Sequence, residues 1–343
     1  MKGTLQYYSI DKFGFYKRGS EERTLDSDEA ILNSFMAWLK QRPNLVNTGT
    51  READKLKGQS NVYCYGVDGY DGDYVFVLWN ELTNADNEIL LLPKNSKFGD
   101  AKVKSGVNSE TVIAGLPSYY WISLKDGFVA TIHFDHAMTS IGALKNYITY
   151  YVQNYSKFAV THQENENKVI GYRYPLSDAE SSNYFKLELK RKIDDSTIQE
   201  LTQKYNLITK IVRRTKIVAE EVVLCGFFHN LASKSIKRGL PKKQPAYVEV
   251  EIEFTPSSES DFTDIVKAYE NEITDPDQHN NLGFILKGES GRTRFLDGQV
   301  MKTEHEFEIV RKGKNPFAAN ELLDYILRRK IRLSPKSNIK DAA

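Results

Sequence analysis

The sequence predicts an α+β protein, with mixed or antiparallel sheets and packed helices, divided into two domains. Three observations carry this reading. At 343 residues the chain exceeds the size at which one hydrophobic core stops growing. Its strand-like segments are joined by turns containing Gly and Asp and are interrupted by amphipathic helices. Two polar stretches, "THQENENK" from Thr161 and "TDPDQHNN" from Thr274, have the composition of exposed linkers. Together they predict one domain from residues 1–158 with 281–335, a second inserted over 159–280, and a tail over 336–343.

The elements follow in order. "GTLQYYSIDKFGFYKRG" has strand-like aromatics, and Asp26 or Ser27 caps a helix in which Ile31, Phe35 and Leu39 recur at helical spacing, ended by Pro43. "NVYCYGVDGYDGDYVFVLWNEL" predicts two strands and a tight turn. "LPSYYWISLKDGFVATIHF" repeats the pattern around Lys125, Asp126 and Gly127. Ile141, Leu144, Ile148 and Tyr151 then share one face of a second helix. A strand "NYFKLELKRK" and a helix "DSTIQELTQKYN", capped by Asp195 or Ser196, come next. The β-branched "LITKIVRRTKIVAEEVV" favours a strand, although its second half is compatible with a helix. "YVEVEIEF" alternates as a strand, "SDFTDIVKAYENEI" is an amphipathic helix, and "LGFILKGESGRTRFLDG" is a hairpin. "HEFEIVRKG" predicts a strand and "NPFAANELLDYILRRK" a helix, with Asn315 as cap and Pro316 at its first position. No internal repeat is present.

Composition bounds the function. Hydrophobic residues make up 40% and charged residues 27% of the chain, as in a globular protein, with disorder expected only in the tails. There is no run of about eighteen apolar residues to span a bilayer, and "MKGTLQYYSI" lacks the apolar centre of a secretion signal. A cytoplasmic location is expected. Cys64 and Cys225 are too few for a disulfide scaffold and read as small buried hydrophobes. The 47 basic and 46 acidic residues nearly cancel, yet Tyr184 to Lys243 holds fourteen basic residues against six acidic ones. Such concentrated positive charge attracts polyanions whatever the fold.

Several short motifs suggest chemistry and do not sustain it. His133, Asp135 and His136 in "HFDH" have types that hold metals, but the ordinary reading has Asp135 ending a strand and capping the next helix. Asp68, Asp71 and Asp73 in "DGYDGD" lack the alternation and the closing Glu of a calcium loop and read as a hairpin turn. A nuclease needs an acid-x-Lys pair with an upstream acid, which "EIEF" and "KLELK" do not single out. "KGESGR" is a plain turn, and Ser118 lacks the glycines of a nucleophile elbow. No catalytic residue, metal ligand or cofactor is assigned. The basic run needs no such geometry. Lys190, Arg191, Lys192, Lys210, Arg213, Arg214, Lys216, Lys237, Arg238, Lys242 and Lys243 are the expected contacts to double-stranded DNA, each displacing condensed counterions. The competing reading makes them a solvated face, or partners of acids elsewhere in the chain. If "TKIVRRTKI" is a strand, Lys210, Val212, Arg214 and Lys216 share one face and Arg213 takes the other, with Lys190 or Lys192 joining them from a neighbouring strand.

The order of "SNVYCYGVDGYDGDYVFVLWNE", "GLPSYYWISLKDGFVATIHF" and "SIGALKNYITYYV" resembles the RexA-like family of phage-exclusion proteins. That family shares an opening aromatic strand, a Leu-Pro-Ser-aromatic strand before a helix, and a lysine-bearing final helix like "ELLDYILRRK" here. The likeness extends over most of Met1 to Phe158 and Ala246 to Leu333; the middle, with the basic run, has no alignable motif, and no individual binding residue transfers. The resemblance implies a movable inserted domain, duplex-DNA binding without enzymatic activity, a homodimer and a membrane-channel partner in antiphage defence. A metal-dependent nuclease effector and an interaction subunit without nucleic-acid binding are the alternatives.

Overall fold

The computed structural model describes residues 1–52, 60–82, 89–106, 111–162, 165–177, 183–192, 195–217, 246–272, 280–289, 293–296 and 301–335. Among them are six helices and fifteen strands, in antiparallel sheets of eleven and four strands. The α+β class holds. Two compact units form, one from Met1–Lys192 with Met301–Lys336 and one from Ile193–Val300 inserted between them.

The first unit is organised by β1 (Lys2–Lys17), which has different partners at its two ends. Along one edge, Thr4 to Ser9 pair with β7 (Phe128–His133). Along the other, Lys2 to Gln6 pair with β15 (Lys302–Glu306), and Tyr8 to Lys17 pair with β10 (Asn183–Arg191). A register shift between Ile10 and Lys12 inserts one residue and exchanges the two faces. Leu5 and Tyr7 therefore enter one core, while Phe13 and Phe15 enter the other. The main order runs β2 (Val62–Tyr70), β3 (Asp73–Glu81), β6 (Val112–Ser123), β7, β1, β10, β9 (Asn165–Tyr172), β8 (Ala159–His162), with β4 (Ile89–Pro93) and β5 (Lys104–Gly106) beside β6.

Helices cover both faces. α1 (Ser27–Lys40) and α2 (Ile141–Asn154) bury Ile31, Phe35, Leu39, Leu144, Ile148 and Tyr151 against Phe76, Leu78 and Ile122. On the opposite face Leu322, Leu323 and Ile326 of α5 (Ala319–Arg328) pack with Val75, Trp79 and Trp121. The short α6 (Lys330–Leu333) follows.

The inserted unit carries β11 (Ile208–Ile217) at the centre of the order β12 (Ala246–Glu253), β11, β13 (Asn280–Leu286), β14 (Thr293–Phe295). α3 (Asp195–Gln203) and α4 (Glu259–Glu272) supply Leu201, Phe262, Val266 and Tyr269 to a core with Ile208, Leu282 and Phe284. The first half of the ambiguous segment is a strand through Ile217, as its β-branched content predicts, and the second half, from Val218, lies outside the described residues.

The domain boundaries differ from those expected at 158/159 and 280/281. "THQENENK" spans parts of the β8–β9 hairpin, and β10 pairs with β1, so residues through Lys192 join the first unit. The hairpin of β13 and β14 pairs with β11 and joins the inserted one. Both crossings meet at Tyr7: Lys192 N–H donates to Tyr7 O (3.1 Å), Tyr7 N–H to Met301 O (3.2 Å) and Met301 N–H to Lys192 O (2.8 Å). Three local expectations are also corrected. Ser140, rather than Asp135, caps α2 by accepting the Ala143 N–H. The strand expected from His305 to Gly313 ends at Glu306, after which Phe307 enters the core. Asn315 does not cap the last helix, because its Oδ1 accepts the Val103 N–H at 2.7 Å, and the helix starts at Ala319.

Candidate nucleic-acid interface

β11 divides its side chains between two environments. Ile211 and Arg213 sit opposite Phe284 and Leu282 of the helix-packed core, and the Arg213 guanidinium lies 5.7 Å from the centre of the Tyr269 ring on α4. Lys210, Val212 and Arg214 alternate onto the other face. The Arg214 guanidinium stands 4.6 Å from the Phe295 ring centre, close enough for cation–π attraction. Gly283 makes room for the Phe295 ring itself, since a Cβ there would lie 2.8 Å from it. Val212, between the two cations, is fully buried.

A row of acids answers the row of cations. β12 runs antiparallel to β11 and sets Glu253 opposite Lys210, Glu251 opposite Val212 and Glu249 opposite Arg214. Lys210 pairs with Glu251 at 3.0 Å and Arg214 with Glu249 at 2.7 Å, all four side chains remaining more than a third exposed. Glu251 beside it holds the Lys210 ammonium above its ordinary pKa. The local charge is therefore close to balanced, although both pairs stand where water and counterions screen them.

The remaining predicted contacts fall elsewhere. Lys190 lies on β10 of the other unit and is paired with Asp11 at 3.1 Å; Arg191 ends that strand opposite Tyr8, and Lys192 follows it. β10 has β1 and β9 as neighbours and β11 has β12 and β13, so Lys190 and Lys192 do not reach the row from an adjacent strand. The backbone of Lys216 continues the β11 register opposite Tyr247. Lys237, Arg238, Lys242 and Lys243 lie outside the described residues. Phe295, Tyr269 and the glutamate row were not singled out from the sequence. The alternation of "YVEVEIEF" was the available signal for the glutamates, since period two places all three on one face.

The rejected motifs are accounted for. His133 is exposed on β7 opposite Thr4, Phe134 is buried, and His136 Nε2 lies 2.8 Å from the Tyr119 hydroxyl, which accepts the Phe317 N–H. No group of three potential metal ligands comes together among the described residues. Asp71 turns the β2–β3 hairpin and pairs with Lys125, whereas Asp73 is buried against Lys330. Ser118 is buried beside Asn80 and Cys64 is buried as a hydrophobe. Among the described residues no helix is long and apolar enough to cross a membrane. No family model, curated protein or solved structure matches this chain.

His136 supplies a pH prediction. Burial, reinforced by Arg311, holds its imidazole down at about 4, against about 6.5 when unfolded. The folded state thus keeps a neutral ring that the unfolded chain protonates. Stability from this source is complete above about pH 6.5 and falls as the pH drops toward 4, by roughly 2 kcal/mol allowing for partial exposure. Denaturant midpoints from pH 7.5 to 4 should fall less steeply in His136→Gln than in the parent. Equal slopes would remove His136 as the cause.

Proposed function

We propose that the chain is a sequence-tolerant duplex-DNA-binding protein that uses the inserted unit to follow a phosphate backbone. The observation that carries this is the placement of Lys210 and Arg214 on the face of the four-stranded sheet turned away from its helices, with the backbone of Lys216 continuing the same register. The sequence surrounding them holds a large excess of positive charge. Phosphate contacts from such a row carry no base readout, so binding is weakly selective and strongly dependent on salt. Glu249 and Glu251 act as internal competitors: each holds a cation until phosphate takes its place. The resemblance to RexA-like proteins supports the same reading and adds a cytoplasmic homodimer, with a membrane-channel partner, in antiphage defence. Catalysis is no part of it.

The glutamates make the proposal sharp. In fluorescence anisotropy with a 24-base-pair duplex and no divalent metal, Arg214→Gln with Lys216→Gln should weaken binding roughly fiftyfold at 0.1 M salt. It should also lower the salt slope by about two. Glu249→Gln with Glu251→Gln should do the opposite and tighten binding about three- to tenfold, because freed cations then meet phosphate without an ion pair to break. If the first variant binds like the parent and the second gains nothing, the row is a solvated charge ladder and the interaction-subunit reading replaces this one. Magnesium-dependent cutting of the same duplex would instead establish a nuclease.

A further inference from the structure

We propose that the outer edge of β12 receives an extended strand from a partner protein, one alternating basic with apolar residues. This inference does not rest on the DNA reading: it concerns the main-chain groups of the outer edge of β12, although Glu249 and Glu251 enter both. Among the described residues β12 pairs with β11 alone. Phe254 N–H donates to Thr209 O of β11. Alternation from that bond turns the main-chain N–H and C=O groups of Glu253, Glu251 and Glu249 outward. Such a row of main-chain groups is a template for another strand.

The side chains specify which strand fits. Val250 and Ile252 share the helix-packed face with Arg213 and Ile211, yet Ile252 is 56% exposed and Phe254 is 37% exposed. The opposite face carries Glu249, Glu251 and Glu253. β11 already shows what β12 accepts on its inner edge, because it brings Lys210 and Arg214 to the acids and Ile211 opposite Ile252. A second strand of that pattern on the outer edge would flank the acids with cations on both sides and cover the apolar stripe. A second copy of β12 would set acid against acid, which destabilises a cross-strand pair. Charge therefore selects a basic partner strand over self-pairing.

The test uses the full chain, without nucleic acid, and a labelled peptide with the sequence of Ile208 to Ile217, "ITKIVRRTKI". Anisotropy in 0.15 M salt should show saturable binding with a Kd of about 10–100 μM. A scrambled peptide, and one N-methylated at alternate amides, should bind at least tenfold more weakly. Glu251→Pro removes an outward N–H, a change an edge strand tolerates, and should lose binding tenfold or more with the circular dichroism spectrum intact. Glu251→Gln separates charge from main chain and should lose less. If the proline variant fails to fold, the N-methylated peptide on the parent chain decides the matter. Equal binding of the three peptides would overturn the proposal, as would no binding at 1 mM. Concentration-dependent self-association abolished by Glu251→Pro would also overturn it, by making a second copy the occupant.

Discussion

Asp73→Ala is expected to lower stability by about 3 kcal/mol, moving the thermal midpoint of its unit down by roughly 10 °C. Asp73 begins β3, and its side chain is only 4% exposed. One carboxylate oxygen accepts the Trp121 indole N–H at 2.9 Å and the other lies 2.7 Å from Lys330 Nζ. Lys330 also reaches Asp126 at 2.7 Å, in the turn between β6 and β7. One ammonium thus ties α6 to the ends of two hairpins. Removing Asp73 leaves a buried indole donor without its acceptor and a partly buried cation with one partner. Asp73→Asn preserves an acceptor for Trp121 and should lose less, while Asp126→Asn, whose side chain is 43% exposed, should cost under about 1 kcal/mol. Differential scanning calorimetry of the three variants checks the order. If Asp73→Ala matches Asp126→Asn, the buried pair has no special weight.

That network shows where sequence reasoning reaches its limit. "DGYDGD" was legible as a turn because Asp71 and Gly72 adopt positive φ, as tight connections require. Nothing local distinguishes Asp73 from Asp71, since its partner is 257 positions away. Strand and helix identities were readable for the same reason as the turn: periodicity is a local signal. The β1 bulge and the pairing of β10 with β1 depend on neighbours distant in sequence, so the polar hairpin at "THQENENK" imitated a linker and displaced the domain boundary. The candidate site divides in the same way. Period two correctly separated Arg213 from Lys210 and Arg214. Pairing of the row with Glu249 and Glu251 depends on β12 being the neighbour, and β11 and β12 are separated by 28 intervening positions, 218–245.

Phe35→Ala should have an effect at least as large as Asp73→Ala, about 3–5 kcal/mol, by a different mechanism. Phe35 is fully buried on α1 and its ring stacks on Tyr151 of α2, with centroids 4.0 Å apart and planes 10° from parallel. Tyr147, Trp38 and Phe76 surround the same ring at centroid separations of 5.3, 5.8 and 5.8 Å. The residue therefore joins two helices to each other and both to the sheet. Truncation removes the transfer free energy of the ring and opens a cavity whose walls are themselves rigid rings, which collapse poorly into it. Tyr151 and Tyr147 are further fixed by hydrogen bonds to Ser34 (2.8 Å) and to Thr48 O (2.6 Å), so neither can move in without giving up a polar contact. Phe35→Leu keeps most of the volume and should lose about 1–1.5 kcal/mol. Urea unfolding followed by near-ultraviolet circular dichroism measures both, since buried aromatic rings lose their fixed surroundings on unfolding. A Phe35→Ala loss no larger than that of Phe35→Leu would mean that the helices close over the gap, and the aromatic cluster would then be filling space rather than fixing how α1 and α2 meet.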